Sequence, residues 1–284
     1  MKHRKQKRPL PVIPIASFAG FVLLRISLMI FLPGPVLSIV AEWMGTVLFA
    51  LLPALFGLFY LEGDRSSLLL KGAPEAEHIR ANVLLGALSV FPFLLFSALL
   101  RRLIPGETAI PMAMFLPALL LNALGIPVSR ALLERGLLAG EFSGWSRRFV
   151  PSIFFAITGG AANEAPARFL LAMILQEISD RQDSLLSSIL VHTSFGVLMT
   201  LFSASGLAER LSAGSMLGAM LLLGGSLAAW RSFLAAMALP RCQQSIQYRP
   251  IRRIRRRDEV LLLAAPILVL VATFFSLWLL PRGV

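Results

Sequence analysis

Runs of about twenty apolar residues with almost no charge recur along this chain, and they constrain its fold more than any motif does. The stretch 83–100 is one example and 184–206 another. Each is long enough to cross the hydrocarbon of a bilayer as a helix. In hydrocarbon every backbone N–H and C=O must be satisfied within the protein, so only helices and closed barrels are admissible. These runs are long and rich in Leu and Ala rather than short and alternating, which excludes a barrel. The spacing predicts an all-α polytopic transmembrane bundle of about nine helices, near 11–33, 35–61, 81–104, 111–137, 149–163, 167–179, 184–206, 215–239 and 259–281. The fifth and sixth are short; if they form one broken span the count is eight, and such segments line cavities. A chain that is 57% hydrophobic and 15% charged, with a mean hydropathy of +0.77, has too much apolar surface for a soluble core to hide.

The net charge of +12 would suggest nucleic acid in a soluble protein, but its distribution reads as membrane topology. With the N-terminus inside, Lys2, Arg4, Lys5, Lys7, Arg8, Arg65, Lys71, Arg80, Arg130, Arg135, Arg147, Arg148, Arg181 and the arginines from Arg241 to Arg257 fall on the cytoplasmic side. Only Arg101, Arg102, Arg168, Arg210 and Arg282 fall outside. The expected protein is therefore a plasma-membrane protein with a cytoplasmic N-terminus and an outer C-terminus. It divides into N-terminal helices (1–110), a core (111–206) and C-terminal helices with a basic cytoplasmic loop (207–284). The basic start, Met1 to Arg8, is not followed by a small-residue cleavage site and reads as leading into a retained first helix. Cys242 is the single cysteine, so no internal disulfide forms, and it reads as a free thiol. The segment from Glu62 to Arg80 is the longest polar connection and reads as a solvated cytoplasmic loop. Arg249 to Arg257 would also attract anionic headgroups, each cation adding about 1 kcal/mol.

Ionisable residues within spans are costly and are functional candidates by default. Arg25 and Glu42 flank the Pro33-Gly34-Pro35 turn at similar separations, so a helical hairpin brings them to one depth as a structural ion pair. Arg231 is placed to reach the interface with its long side chain. No metal site is expected, because His3 and His78 lie in cytoplasmic segments, Cys242 stands alone and no His-Glu-x-x-His pattern occurs. No cofactor loop is present either; Gly159-Gly160 and Gly224-Gly225 lie in apolar helices, where small residues allow close approach.

The richest constellation runs from Ser129 to Gly196. It holds Ser129-Arg130-Ala131-Leu132-Leu133-Glu134-Arg135-Gly136, then Ser152-Ile153-Phe154-Phe155-Ala156-Ile157-Thr158, then Ser184-Leu185-Leu186-Ser187-Ser188-Ile189-Leu190-Val191-His192-Thr193-Ser194-Phe195-Gly196. This region, about a third of the chain, resembles the CAAX protease and bacteriocin-processing family of membrane-embedded glutamic endopeptidases. In that family a Glu-Glu-x-x-x-Arg-Gly motif is followed by Phe-x-x-x-His and then His-x-x-x-Asn. Arg135 and Gly136 match the end of the first motif, Phe154 the start of the second and His192 the start of the third. The paired carboxylates are replaced by Arg130 and Ala131, the second-motif histidine by Thr158 and the closing amide by Gly196.

The resemblance implies a glutamate general base on water, with histidine and asparagine stabilising the oxyanion. Arg130 stays protonated and cannot be that base. Losing a single oxyanion donor costs about 2.7–4 kcal/mol of transition-state stabilisation, so ordinary catalysis is not expected. Glu134, one turn along the same helix, is the best substitute carboxylate, with His192 as its partner and Arg135 beside it; Glu164 and Glu177 are further candidates. The bland alternatives are helix-end carboxylates and a buried His192 bonded to a backbone carbonyl. Three readings follow: a degenerate peptidase acting as a binding or regulatory membrane subunit, with another membrane protein or a lipidated peptide as partner; an active endopeptidase on prenylated or membrane-delivered peptides using Glu134 and His192; and a transport or lipid-handling subunit in which Arg130 neutralises an anionic ligand.

Overall fold

Pro74 and Glu75 precede the first described helix, α1 (Ala76–Leu88), and Glu77 in its first turn complements the positive end of the helix dipole. The computed structural model describes residues 74–101, 115–139, 144–158, 164–212 and 215–242, with 142 and scattered positions before 52. The proposed Arg25–Glu42 pair and the Arg249–Arg257 stretch lie outside these described residues. Ser89 separates α1 from α2 (Val90–Arg101). Pro92 cannot donate to the Leu88 carbonyl, and the Ser89 hydroxyl turns back onto Leu85 O at 2.7 Å, so the break follows from the local sequence. The reading of 62–80 as a solvated loop is corrected at its C-terminal end. The chain is already helical from Ala76, and His78 is buried because its Nε2 donates to Pro240 O at 2.9 Å.

The next span begins with α3 (Phe115–Leu120), winds as π-helix over Leu121–Gly125, returns to α4 (Ile126–Arg130) and winds again as π-helix over Ala131–Leu138. Pro127 is the local cause of the first irregularity, since it has no N–H to offer Ala123 O. That carbonyl instead accepts from the Thr193 hydroxyl at 2.7 Å. Then follow α5 (Ser146–Thr158), α6 (Ala165–Gln182), α7 (Leu185–Ala204), the short α8 (Leu207–Ser212) and α9 (Met216–Ala238). The fifth and sixth predicted helices are thus two separate elements. Arg147–Asp180 at 2.9 Å and Arg148–Glu177 at 2.8 Å join the start of α5 to the end of α6.

All regular structure among the described residues is helical, and four stretches are long and apolar enough to cross a membrane: Ala76–Leu100, Phe115–Gly136, Leu185–Ala204 and Met216–Ala238. Helix α7 lies at the centre, against α1, α6 and the irregular helix. Two glycines set these contacts. A methyl at Gly86 would overlap Val191 O on α7, and one at Gly196 would overlap Asn122 O. The apolar core joins Leu85, Phe93, Leu94, Phe155, Leu175 and Phe195.

One end of the bundle is closed by polar side chains. Asn82 and Gln182 exchange amide hydrogen bonds of 2.8 and 3.3 Å, and Gln182 also donates to Ala236 O at 3.1 Å. Arg181 donates to Met237 O at 3.1 Å, so two side chains from α6 satisfy the otherwise orphaned last carbonyls of α9. Asp183, in the left-handed region at φ 51°, turns the chain from α6 into α7.

Candidate functional site

Arg130 ends the regular turn after Pro127, and its side chain enters the bundle with only 4% of its surface exposed. Its Nη1 donates to Glu134 Oε1 at 2.7 Å and to the Thr158 hydroxyl, while Nη2 donates to Thr158 O at 3.1 Å. The Thr158 hydroxyl in turn donates to Phe154 O at 2.7 Å. Arg130 therefore caps the C-terminal carbonyls of α5, where a cation also meets the negative end of the helix dipole. Because the segment carrying Glu134 is helical, the carboxylate returns to the same side of the bundle as Arg130.

Phe155 links the remaining groups. Its ring lies 5.8 Å from Arg130 Cζ and 5.9 Å from Arg135 Cζ, and it meets the His192 imidazole edge-on at 5.2 Å between centroids. Arg135 and His192 are 6% and 5% exposed. Among the described residues Arg135 Nη1 and His192 Nδ1 have no hydrogen-bond partner, so His192 Nδ1 makes no bond to a backbone carbonyl. Among the described residues the centre holds two buried guanidinium groups, of which Arg130 is ion-paired with Glu134. Taking such a charge from water into a protein interior costs several kcal/mol unless it is compensated.

The structure brings Arg130, Glu134, Arg135, Thr158 and His192 together around Phe155 and leaves other candidates apart. Glu164 pairs with Arg168 at 2.8 Å, and Glu177 with Arg148. Ala131 is fully buried, and Phe154 contributes its carbonyl. Gly196 faces the Asn122 backbone, and Asn122 itself donates to Thr200 Oγ1 at 3.0 Å. The tally of inner cations also needs correction. Arg130 and Arg135 are buried within a helix and contribute nothing to a loop charge count. Arg231 projects from an exposed part of α9. Among the described residues no three His, Cys, Asp or Glu side chains converge as a metal would require.

Sequence reasoning missed Phe155, Asn122, Asn82 and Gln182. Phe155 adjoins the motif phenylalanine, and its role depends on which face of α5 meets α7. Pro127, four residues after Ala123, was the available signal that the backbone near Asn122 is irregular. Comparison with known proteins finds no matching family, no matching curated protein and no matching solved structure.

Proposed function

We propose that this chain is a multi-pass membrane protein built on a CAAX-protease-like scaffold, whose former catalytic centre binds rather than cuts, and that it acts as a binding or regulatory membrane subunit. The observation that carries this reading is the engagement of Glu134 by Arg130. A carboxylate whose Oε1 already accepts a guanidinium hydrogen bond at 2.7 Å has that lone pair engaged and is not free to take a proton from a catalytic water. Thr158 stands where the family resemblance implies histidine, and its hydroxyl is used by the Phe154 carbonyl and by Arg130. The resemblance over 129–196 supports the scaffold. The positive-inside pattern supports a plasma-membrane protein with a cytoplasmic N-terminus, and the arginines from Arg249 to Arg257 would then add contacts with anionic headgroups.

A library of membrane-tethered peptides, including prenylated ones, presented to the purified protein tests the reading. No cleavage is expected from the wild type. Cleavage that disappears in both Glu134→Gln and His192→Ala would establish an endopeptidase and overturn it. The two buried guanidiniums gathered at the Phe155 ring favour a second reading, lipid handling at the same centre, in which Arg130 and Arg135 together neutralise an anionic ligand.

A further inference from the structure

Phe155 gathers three hydrogen-bonding side chains, Arg130, Arg135 and His192. Arg130 is engaged by Glu134 and by both oxygens of Thr158. Arg135 and His192, on the neighbouring helical segment and on α7, each keep a buried nitrogen without a hydrogen-bond partner among the described residues. Buried polar atoms in native proteins are overwhelmingly paired, and an orphaned donor costs the full desolvation of the group.

We infer that Arg135 and His192 form a binding site for the carboxylate of a membrane-partitioned acyl amphiphile, with Phe155 as the apolar surface between them. This rests on the reading that the centre binds rather than cuts. A carboxylate suits a guanidinium fork, which can hold both oxygens in one plane. His192 supplies a second contact at Nδ1 when that nitrogen carries a proton. The orphaned atoms serve one small headgroup. An extended peptide would bring several backbone N–H and C=O groups into the bundle, and two nitrogens cannot satisfy them. Both residues belong to helices long and apolar enough to cross a membrane, so a ligand already dissolved in the bilayer would approach the site through those spans.

The test uses the full chain in nanodiscs of zwitterionic phosphatidylcholine, titrated separately with oleate, oleyl alcohol and acetate, with binding read from the change in tryptophan fluorescence. Saturable binding of oleate alone is expected. Arg135→Gln should weaken it about tenfold or more, as loss of a charge-assisted hydrogen bond implies, and Arg135→Lys should recover part of the loss. Equal binding of oleyl alcohol would overturn the proposal, since the carboxylate would then be irrelevant. Equal binding of acetate would overturn the acyl assignment. No saturable binding of oleate by the wild type would overturn it as well, and that outcome does not depend on whether a variant folds. The peptide-cleavage assay separates the two levels: absence of both cleavage and oleate binding sinks this site while the non-catalytic reading stands, whereas cleavage dependent on Glu134 sinks that reading itself.

Discussion

Arg130 shows how one substitution can convert the chemistry of a buried position. A carboxylate there would be a candidate base; a guanidinium is a permanent cation with five donors and no acceptor. It finds Glu134 four residues on and the last carbonyl of α5, and it fixes both. Removing one partner from such a pair strands the other in a low-dielectric interior, typically at about 3–5 kcal/mol. The pair is thus bound to stay closed in the folded state. Cys242 is a second residue whose surroundings set its chemistry. It is 2% exposed, and its backbone N–H donates to Gln182 O at 3.0 Å. Burial raises its thiol above the ordinary range, with the Ser187 hydroxyl opposing. The folded state therefore holds the thiol proton more tightly than the unfolded chain does. Its contribution to stability is complete below the usual thiol pKa of about 8.5 and is lost as pH rises from there through the raised folded value. Iodoacetamide should accordingly modify the folded protein more slowly than the denatured protein at neutral pH, with the rate climbing only at strongly alkaline pH. A rate at pH 7 equal to that of the denatured chain would contradict this burial.

At the scale of elements, helix positions were legible because hydrophobic length is a one-dimensional property, while their irregularities were not. The spacing placed helices near 184–206 and 215–239, and the structure has them at Leu185–Ala204 and Met216–Ala238. It also placed 167–179, and α6 runs beyond it at both ends, to Gln182. The end carrying Asp180 and Arg181 looks like loop to a hydropathy reading, yet these residues pair with α5 and α9. The site was half legible. Arg130, Glu134, Thr158 and His192 were found from their order in the sequence. Phe155 and Asn122 were not, because their importance arises from which helix faces meet. Gly196 illustrates the difference. As sequence it is a missing amide; in the bundle it is the place where the Asn122 carbonyl lies against α7. A methyl there, or at Gly86, must force helices apart, so Gly196→Ala and Gly86→Ala should each cost about 1–3 kcal/mol. Gly224 has nothing within 4 Å of an added methyl. Gly224→Ala should therefore stabilise the helix by about 0.5–1 kcal/mol. Melting curves followed by circular dichroism in detergent measure both signs, and a tolerant Gly196→Ala would refute the close α7 contact.

At the scale of the whole molecule, the bundle sorts charges that are far apart in sequence. Arg147 and Arg148 at the start of α5 meet Asp180 and Glu177 at the end of α6. Arg181 meets the end of α9, and His78, near Arg80, meets Pro240, beside Arg241. Five arginines thus gather at one end of the molecule. Arg210 on α8 lies at the other end, where α7 has finished and α9 has yet to begin, and Arg168 pairs with Glu164 at the beginning of α6. Applied to these two ends, the positive-inside rule proposes that the arginine-rich end faces the cytoplasm. In a Cys242→Ser background, Trp145→Cys marks the arginine-rich end at a side chain that is 75% exposed, and Glu209→Cys marks the opposite end. A membrane-impermeant maleimide added to intact cells should label position 209 and spare position 145 until the membrane is permeabilised. The reverse pattern would invert the molecule in the bilayer. Labelling of both sites in intact cells would mean that the two ends do not lie on opposite sides of a membrane at all.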